Sequence, residues 1–169
     1  MDLVLEREDV RVFHIEIAPE LLMVDSRSPL FVSGSVWLQM GEKEFPARGW
    51  TDAPLSVLGS LGAAIIEVQE SGVSDAYFFD GPYFVRFSFE GNSLGEASVK
   101  VTGVCDRHAC HVSAESIGVE GGGVIEAEAI VSLFDIKNSY AQSLQVFRDW
   151  AARNRELEVI SALSKMPYF

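Results

Sequence analysis

The residues best suited to chemistry lie in one short run, Cys105-Asp106-Arg107-His108-Ala109-Cys110-His111. It places four cysteine or histidine side chains, each able to bind a metal through sulfur or nitrogen, within seven residues. Zinc asks for four such ligands converging at about 2.0–2.3 Å. Strand side chains alternate between faces, so a hairpin here sets Cys105 and Cys110 on one face and turns His111 away, with His108 in the turn. Three ligands at most converge, and the spacing matches no structural zinc pattern. No metal is expected. Two small buried side chains are the simplest reading of the cysteines, and a cross-strand disulfide is the alternative. Two cysteines are too few for a disulfide scaffold of this size.

Other chemistry is thinly represented. His14 sits on an alternating segment with no evident partner. The chain holds no Ser-x-x-Lys and no His-Glu-x-x-His, and its Gly91-Asn92-Ser93-Leu94-Gly95, spelled Gly-x-Ser-x-Gly, reads as a turn between two strands rather than the strand-to-helix turn that places a nucleophile. No Gly-Lys pair occurs, and the run Gly121-Gly122-Gly123 opens no dinucleotide fingerprint. We therefore predict no catalytic residue and no cofactor.

Charge is more informative. The chain carries 25 acidic and 13 basic residues, a net charge of −12. Such a chain repels phosphate backbones and anionic membrane surfaces, which excludes nucleic acid and membrane as expected partners. Residues 1–135 hold 22 acids against 8 bases, while residues 136–169 hold 3 against 5. Glu90, Glu96, Glu115, Glu126 and Glu128 fall in the outward phase of alternating segments. If those segments neighbour one another, they give one strongly negative sheet face. A solvated, aggregation-resistant surface is the plain reading. A docking surface for a basic partner is the sharper one, and these five glutamates are its predicted contacts.

The elements that must position these groups are legible from periodicity. At 169 residues the chain has the size of one domain, and no linker or repeat divides it. Period-two alternation predicts strands over Val10–Ala18, Leu30–Met40, about Asp75–Phe79, Tyr83–Glu90 and Ala97–Val101. It predicts two more at Cys110–Glu115 and Ile125–Leu133. Ser26-Arg27-Ser28-Pro29 and Asp80-Gly81 read as turns, and Asp80 is expected to brace the second. Between the strands, Leu55, Leu58, Gly62, Ile65 and Ile66 follow helical spacing. Thr51 or Asp52 is the expected N-cap, Pro54 the first-turn residue and Gly72 the stop. Gly59 and Gly62 flatten one side of this helix so that it can lie close on a sheet. From about Lys137 the pattern is helical again, with Tyr140, Leu144, Phe147 and Ala151 on one stripe. Leu157, Ile160 and Leu163 continue that stripe, with a bend near Asn154. The expected fold is a single α+β domain: an antiparallel sheet of roughly six to eight strands, one helix between strands and one C-terminal helix.

The N-terminus, Met1-Asp2-Leu3-Val4-Leu5-Glu6-Arg7-Glu8, lacks the basic start and apolar stretch of a secretory signal. Only 14 residues separate Asp52 from Glu67, and no uncharged stretch is longer, against about 20 needed to span a bilayer. A cytoplasmic protein is expected.

Two clusters are more specified than their surroundings: Phe45-Pro46-Ala47-Arg48-Gly49-Trp50-Thr51-Asp52 and Phe78-Phe79-Asp80-Gly81-Pro82-Tyr83. Read structurally, the first is a helix entry with an aromatic plug and the second a tight hairpin. The combined pattern over residues 45–90 resembles one found in small bacterial proteins. Some of these look like immunity proteins of polymorphic or contact-dependent toxin systems. The resemblance implies a cytosolic α+β protein, monomeric or weakly dimeric, that neutralises one cognate toxin by tight binding, and it implies no catalytic residue. An acidic face would occlude a basic toxin cleft. As an alternative, a helix followed by antiparallel strands resembles the hot-dog fold of acyl-thioester hydrolases and dehydratases, for which Glu67 is the only mid-helix acid. A third expectation is a plain subunit with Phe31, Trp37 and Phe84 as an apolar contact patch.

Overall fold

A computed structural model describes residues 12–93, 96–106 and 123–169. Chain order begins with β1 (Phe13–Ile17), a single 3-10 turn (Pro19–Leu21), β2 (Met23–Asp25) and β3 (Ser28–Met40). Short strands β4 (Lys43–Phe45) and β5 (Thr51–Asp52) lead to helix α1 (Pro54–Ser71). Strands β6 (Val73–Tyr77), β7 (Tyr83–Ser93), β8 (Glu96–Cys105) and β9 (Val124–Ser132) follow, then helices α2 (Leu133–Asn154) and α3 (Leu157–Leu163). The class is α+β with antiparallel pairing throughout, as expected.

The single expected sheet is instead two. β3 is the spine of the first: β1 and β2 pair along one side of it, and β4 and β5 also join it. The second is a meander in the order β6-β7-β8-β9. The predicted strand at Cys110–Glu115 lies outside the described residues. The turn expected at 26–29 is only Ser26–Arg27, because Pro29 already belongs to β3 and β2 precedes the turn.

Alternation decides the faces. Val32, Val36, Leu38 and Met40 of β3 point inward, as do Val85 and Phe87 of β7 and Val99 and Val101 of β8. They join the helices in one contiguous apolar cluster. Both α1 and α2 touch both sheets, so α1 is apolar around much of its girth: Val57, Leu58, Leu61, Ala64, Ile65 and Val68 are all buried. Pro54 opens the helix and Gly72, with φ of +82°, closes it in the left-handed region, which glycine enters without steric cost.

Two expectations about the helices fail. Gly62 lies close to a helix rather than to a sheet: a Cβ there would meet the Tyr140 hydroxyl and, at 3.1 Å, Pro167, whereas Gly59 faces open space. In the C-terminal part, α2 starts at Leu133, where Ser132 accepts from the Asp135 N–H at 3.0 Å and donates to its carboxylate at 2.8 Å. It ends at Asn154, where the bend was expected, and Arg155 after it has φ of +58°. That break re-aims the chain. Val159 and Leu163 are buried, while Leu157 is 75% exposed, because the stripe restarts in a new register after the break.

Helices cover an edge of each sheet, where unpaired strand backbone would otherwise invite association. The Ile15 N–H of β1 donates to Ser139 Oγ at 2.7 Å, and Ser143 Oγ donates to the Ile15 carbonyl at 2.5 Å. On β6 the Tyr77 N–H donates to Ser60 Oγ at 2.9 Å, and Ser74 Oγ donates to the Ala64 carbonyl at 2.7 Å.

Tyr140 locks α2 to α1. Its buried hydroxyl donates to the Leu58 carbonyl at 3.1 Å. Burial pushes its pKa up to about 12, with Arg148 pulling weakly the other way. The unfolded chain loses this proton near pH 10. The stabilisation is therefore complete below about pH 10 and disappears as pH rises through about 12, a decline of roughly 2–3 kcal/mol from this residue. Urea titrations at pH 9–12 should show that component in the wild type and not in Tyr140→Phe. An identical alkaline slope in both would refute it.

Candidate functional site

The two specified clusters fold against each other. Phe45, which precedes a cis Pro46, meets Phe78 and Tyr83 edge-on at centroid distances of 5.9 and 5.7 Å. Trp50 meets Tyr83 at 5.0 Å. Gly81 sits between these rings, and a Cβ there would lie 2.8 Å from Tyr83 and 3.0 Å from Trp50.

At the centre is Asp52, only 1% exposed. Its carboxylate accepts from the Ala53 N–H at 2.7 Å, the Phe79 N–H at 2.9 Å, the Asp80 N–H at 3.2 Å and Trp50 Nε1 at 3.1 Å. This corrects both capping expectations. The N-cap of α1 is Ala53, with no side-chain cap bond, because the Asp52 carboxylate is engaged by the 79–80 loop instead. For the same reason Asp80 does not brace its own turn; its N–H is held by Asp52 and its side chain is exposed. The clamp leaves Phe79 57% exposed at a loop tip whose backbone is fixed.

That tip borders the open face of the β6–β9 sheet. Register places Asp75, Arg86, Thr102 and Glu128 in one cross-strand row of this face, and Val73, Ser88, Lys100 and Ile130 in the next. Tyr77 pairs with Phe84 beside them, their rings 6.1 Å apart. Asp75 takes Arg86 with two bonds of 2.7 Å, and the Arg86 guanidinium stands 5.7 Å over Phe84. Lys100 pairs with Glu128 at 3.0 Å. Between these pairs the face shows half-exposed apolar groups: Val73, Tyr77 and Ile130.

The predicted glutamates are only partly united. Glu96 and Glu128 share the outward phase of adjacent strands β8 and β9, whereas Glu126 is half-buried at the register shift opposite Gly103 and Val104. Glu90 is exposed at the β-bulge between Phe89 and Gly91. Glu115 lies outside the described residues. The face is not uniformly negative, because the same alternation that turns the glutamates outward also turns Arg86 and Lys100 outward among them. Both cations are spent on acids of the same face. Among the described residues, Glu90 and Glu96 make no ion pair. The sequence reading missed Asp75 as a partner of Arg86. A hairpin centred on Asp80-Gly81 sets residue 75 opposite 86 and residue 77 opposite 84, so the turn signal could have found it.

The remaining candidates separate. Phe84 belongs to this face, whereas Phe31 and Trp37 belong to β3 of the other sheet, so the expected three-aromatic patch does not form. His14 is exposed on β1. Cys105 is buried, while Cys110, His108 and His111 lie outside the described residues. Among the described residues no three metal-ligating side chains cluster, and no helix is long and apolar enough to cross a membrane. Glu67 projects from α1 into an open cleft with Asp75, Tyr77 and Arg86. No protein family, curated protein or solved structure matches the chain.

Proposed function

We propose that this chain is an acidic binding protein that captures a basic protein partner, in the manner of a cytoplasmic immunity protein occluding the active site of its cognate toxin. One observation carries the reading. On the open face of the β6–β9 sheet both cations are neutralised internally, by Asp75 and Glu128. What this face offers a partner is thus half-exposed apolar surface bordered by further acids. An apolar centre with a charged rim is the anatomy of a protein interface, and a net charge of −12 speeds encounter with a cationic partner. The fixed loop adds an aromatic anchor, Phe79, whose ordering cost is already met by the fold.

The hydrolase alternative needs the Glu67 carboxyl beside an acyl chain. Glu67 is instead exposed, with Asp75 and Arg86 among its neighbours in the cleft, so binding is the reading carried forward.

The direct experiment mixes the purified chain with the product of the adjacent gene and measures affinity by calorimetry between about 50 and 500 mM salt. A tight complex that weakens as salt rises is expected. Phe79→Ala, at an exposed site, should leave the melting temperature within about 1 °C and weaken the complex by about 10- to 30-fold. A partner bound equally well at all salt concentrations, or no partner, would overturn the proposal.

A further inference from the structure

The cleft between α1 and the outer edge of β6 carries a charge imbalance. Its volume is about 500 Å3, and Glu67, Val73, Ser74, Asp75, Tyr77 and Arg86 line it. Asp75 and Arg86 cancel each other through a two-pronged contact. Glu67 makes no ion pair among the described residues and leaves the cleft one negative charge in excess. Two further polar groups are committed: Ser74 Oγ donates to the Ala64 carbonyl, and the Tyr77 N–H donates to Ser60 Oγ. These two bonds also pin α1 along β6, so a partner strand has no edge to join there. What stays available is the Glu67 carboxylate, the remaining lone pairs of Asp75, the 51%-exposed Tyr77 ring and the flank of Val73.

We infer that this cleft seats an arginine side chain of the basic partner, an assignment that rests on the binding function proposed above. The stem lies along Val73 and Tyr77, and the guanidinium reaches Glu67 with its plane against the Tyr77 ring. Arginine suits the site better than lysine because its planar head pairs with a carboxylate through two bonds and stacks on an aromatic face at the same time. Arg86 already shows this arrangement within the chain, held by Asp75 and stacked on Phe84.

The probe is N-acetyl-arginine methylamide, titrated into the full 15N-labelled chain at low salt, with the norleucine analogue as the uncharged control. The amide signals of residues 73–77 should shift and saturate with a Kd in the millimolar range, and the norleucine analogue should not saturate. Glu67→Gln, at an exposed helix position, should keep the fold and weaken the arginine probe about fivefold. Shifts spread evenly over the surface, or a Kd unchanged by Glu67→Gln, overturn the assignment, as does inorganic phosphate saturating the same signals through Arg86. Glu67→Lys separates this inference from the parent reading. A basic partner that binds the variant at full affinity removes the arginine seat and leaves the binding function standing. Saturation by the probe, with no basic partner found, does the reverse.

Discussion

Asp52→Ala is expected to lower the unfolding free energy by about 3–4 kcal/mol. The carboxylate is almost wholly buried and accepts three backbone N–H groups and the Trp50 indole. Deleting it strands those donors away from water, and each buried unsatisfied donor costs about 1–3 kcal/mol. Water entering the space recovers part of this, which keeps the total below the simple sum. Asp52→Asn keeps the shape but turns an NH2 group toward donors, so a loss of about 2 kcal/mol is expected. Urea unfolding measures both. Amide exchange locates the effect: Phe79 and Asp80 should exchange much faster in either variant, while the α1 interior, held by its own ladder and by both sheets, should change only with global stability. A loss below about 1 kcal/mol for the alanine variant would mean that the loop is held by its rings alone.

Gly103→Ala is the second large effect, at about 2–3 kcal/mol. Gly103 lies in an inward row with Ala76, Val85 and Ala127, and these small side chains let the first sheet come close. A Cβ at 103 would stand 2.7 Å from two ring carbons of Phe45 and 3.0 Å from the end of Met40. Met40 can swing away. Phe45 cannot, since it is fully buried and ringed by Phe78 and Tyr83. The clash is therefore relieved only by parting the sheets. Phe45→Leu should make the double variant less unstable than the two single losses added together, by about 1 kcal/mol, because contacting residues do not act independently. Strict additivity would place the strain elsewhere.

Much of the fold was readable because periodicity is local. The alternation of Val32, Val36, Leu38 and Met40 set the buried face of β3, and Pro54 and Gly72 marked the bounds of α1 through backbone preferences that need no distant partner. The stripe Tyr140, Leu144, Phe147 and Ala151 is buried throughout. The bend near Asn154 stands, and Leu163 is buried beyond it with Ile160 packed on the core, but the left-handed Arg155 shifted the register and left Leu157 in solvent. The candidate surface was half legible. Strand phase turned Glu96 and Glu128 outward correctly and missed the bulge at Glu126, but the same phase carried Arg86 and Lys100, and only the pairing of strands showed which acids those cations would neutralise.

From its residues alone this chain already had an α+β class, antiparallel strands, a helix between strands and a large acidic excess. These depend on neighbours two to four positions apart and on simple counting. Tertiary structure decided the rest: two sheets rather than one, the meeting of residues 45–52 with 78–83, and the choice of Asp52 to hold a loop 27 residues away. A buried carboxylate takes whichever donors the fold brings within about 3 Å, and spacing along the chain does not say which those will be.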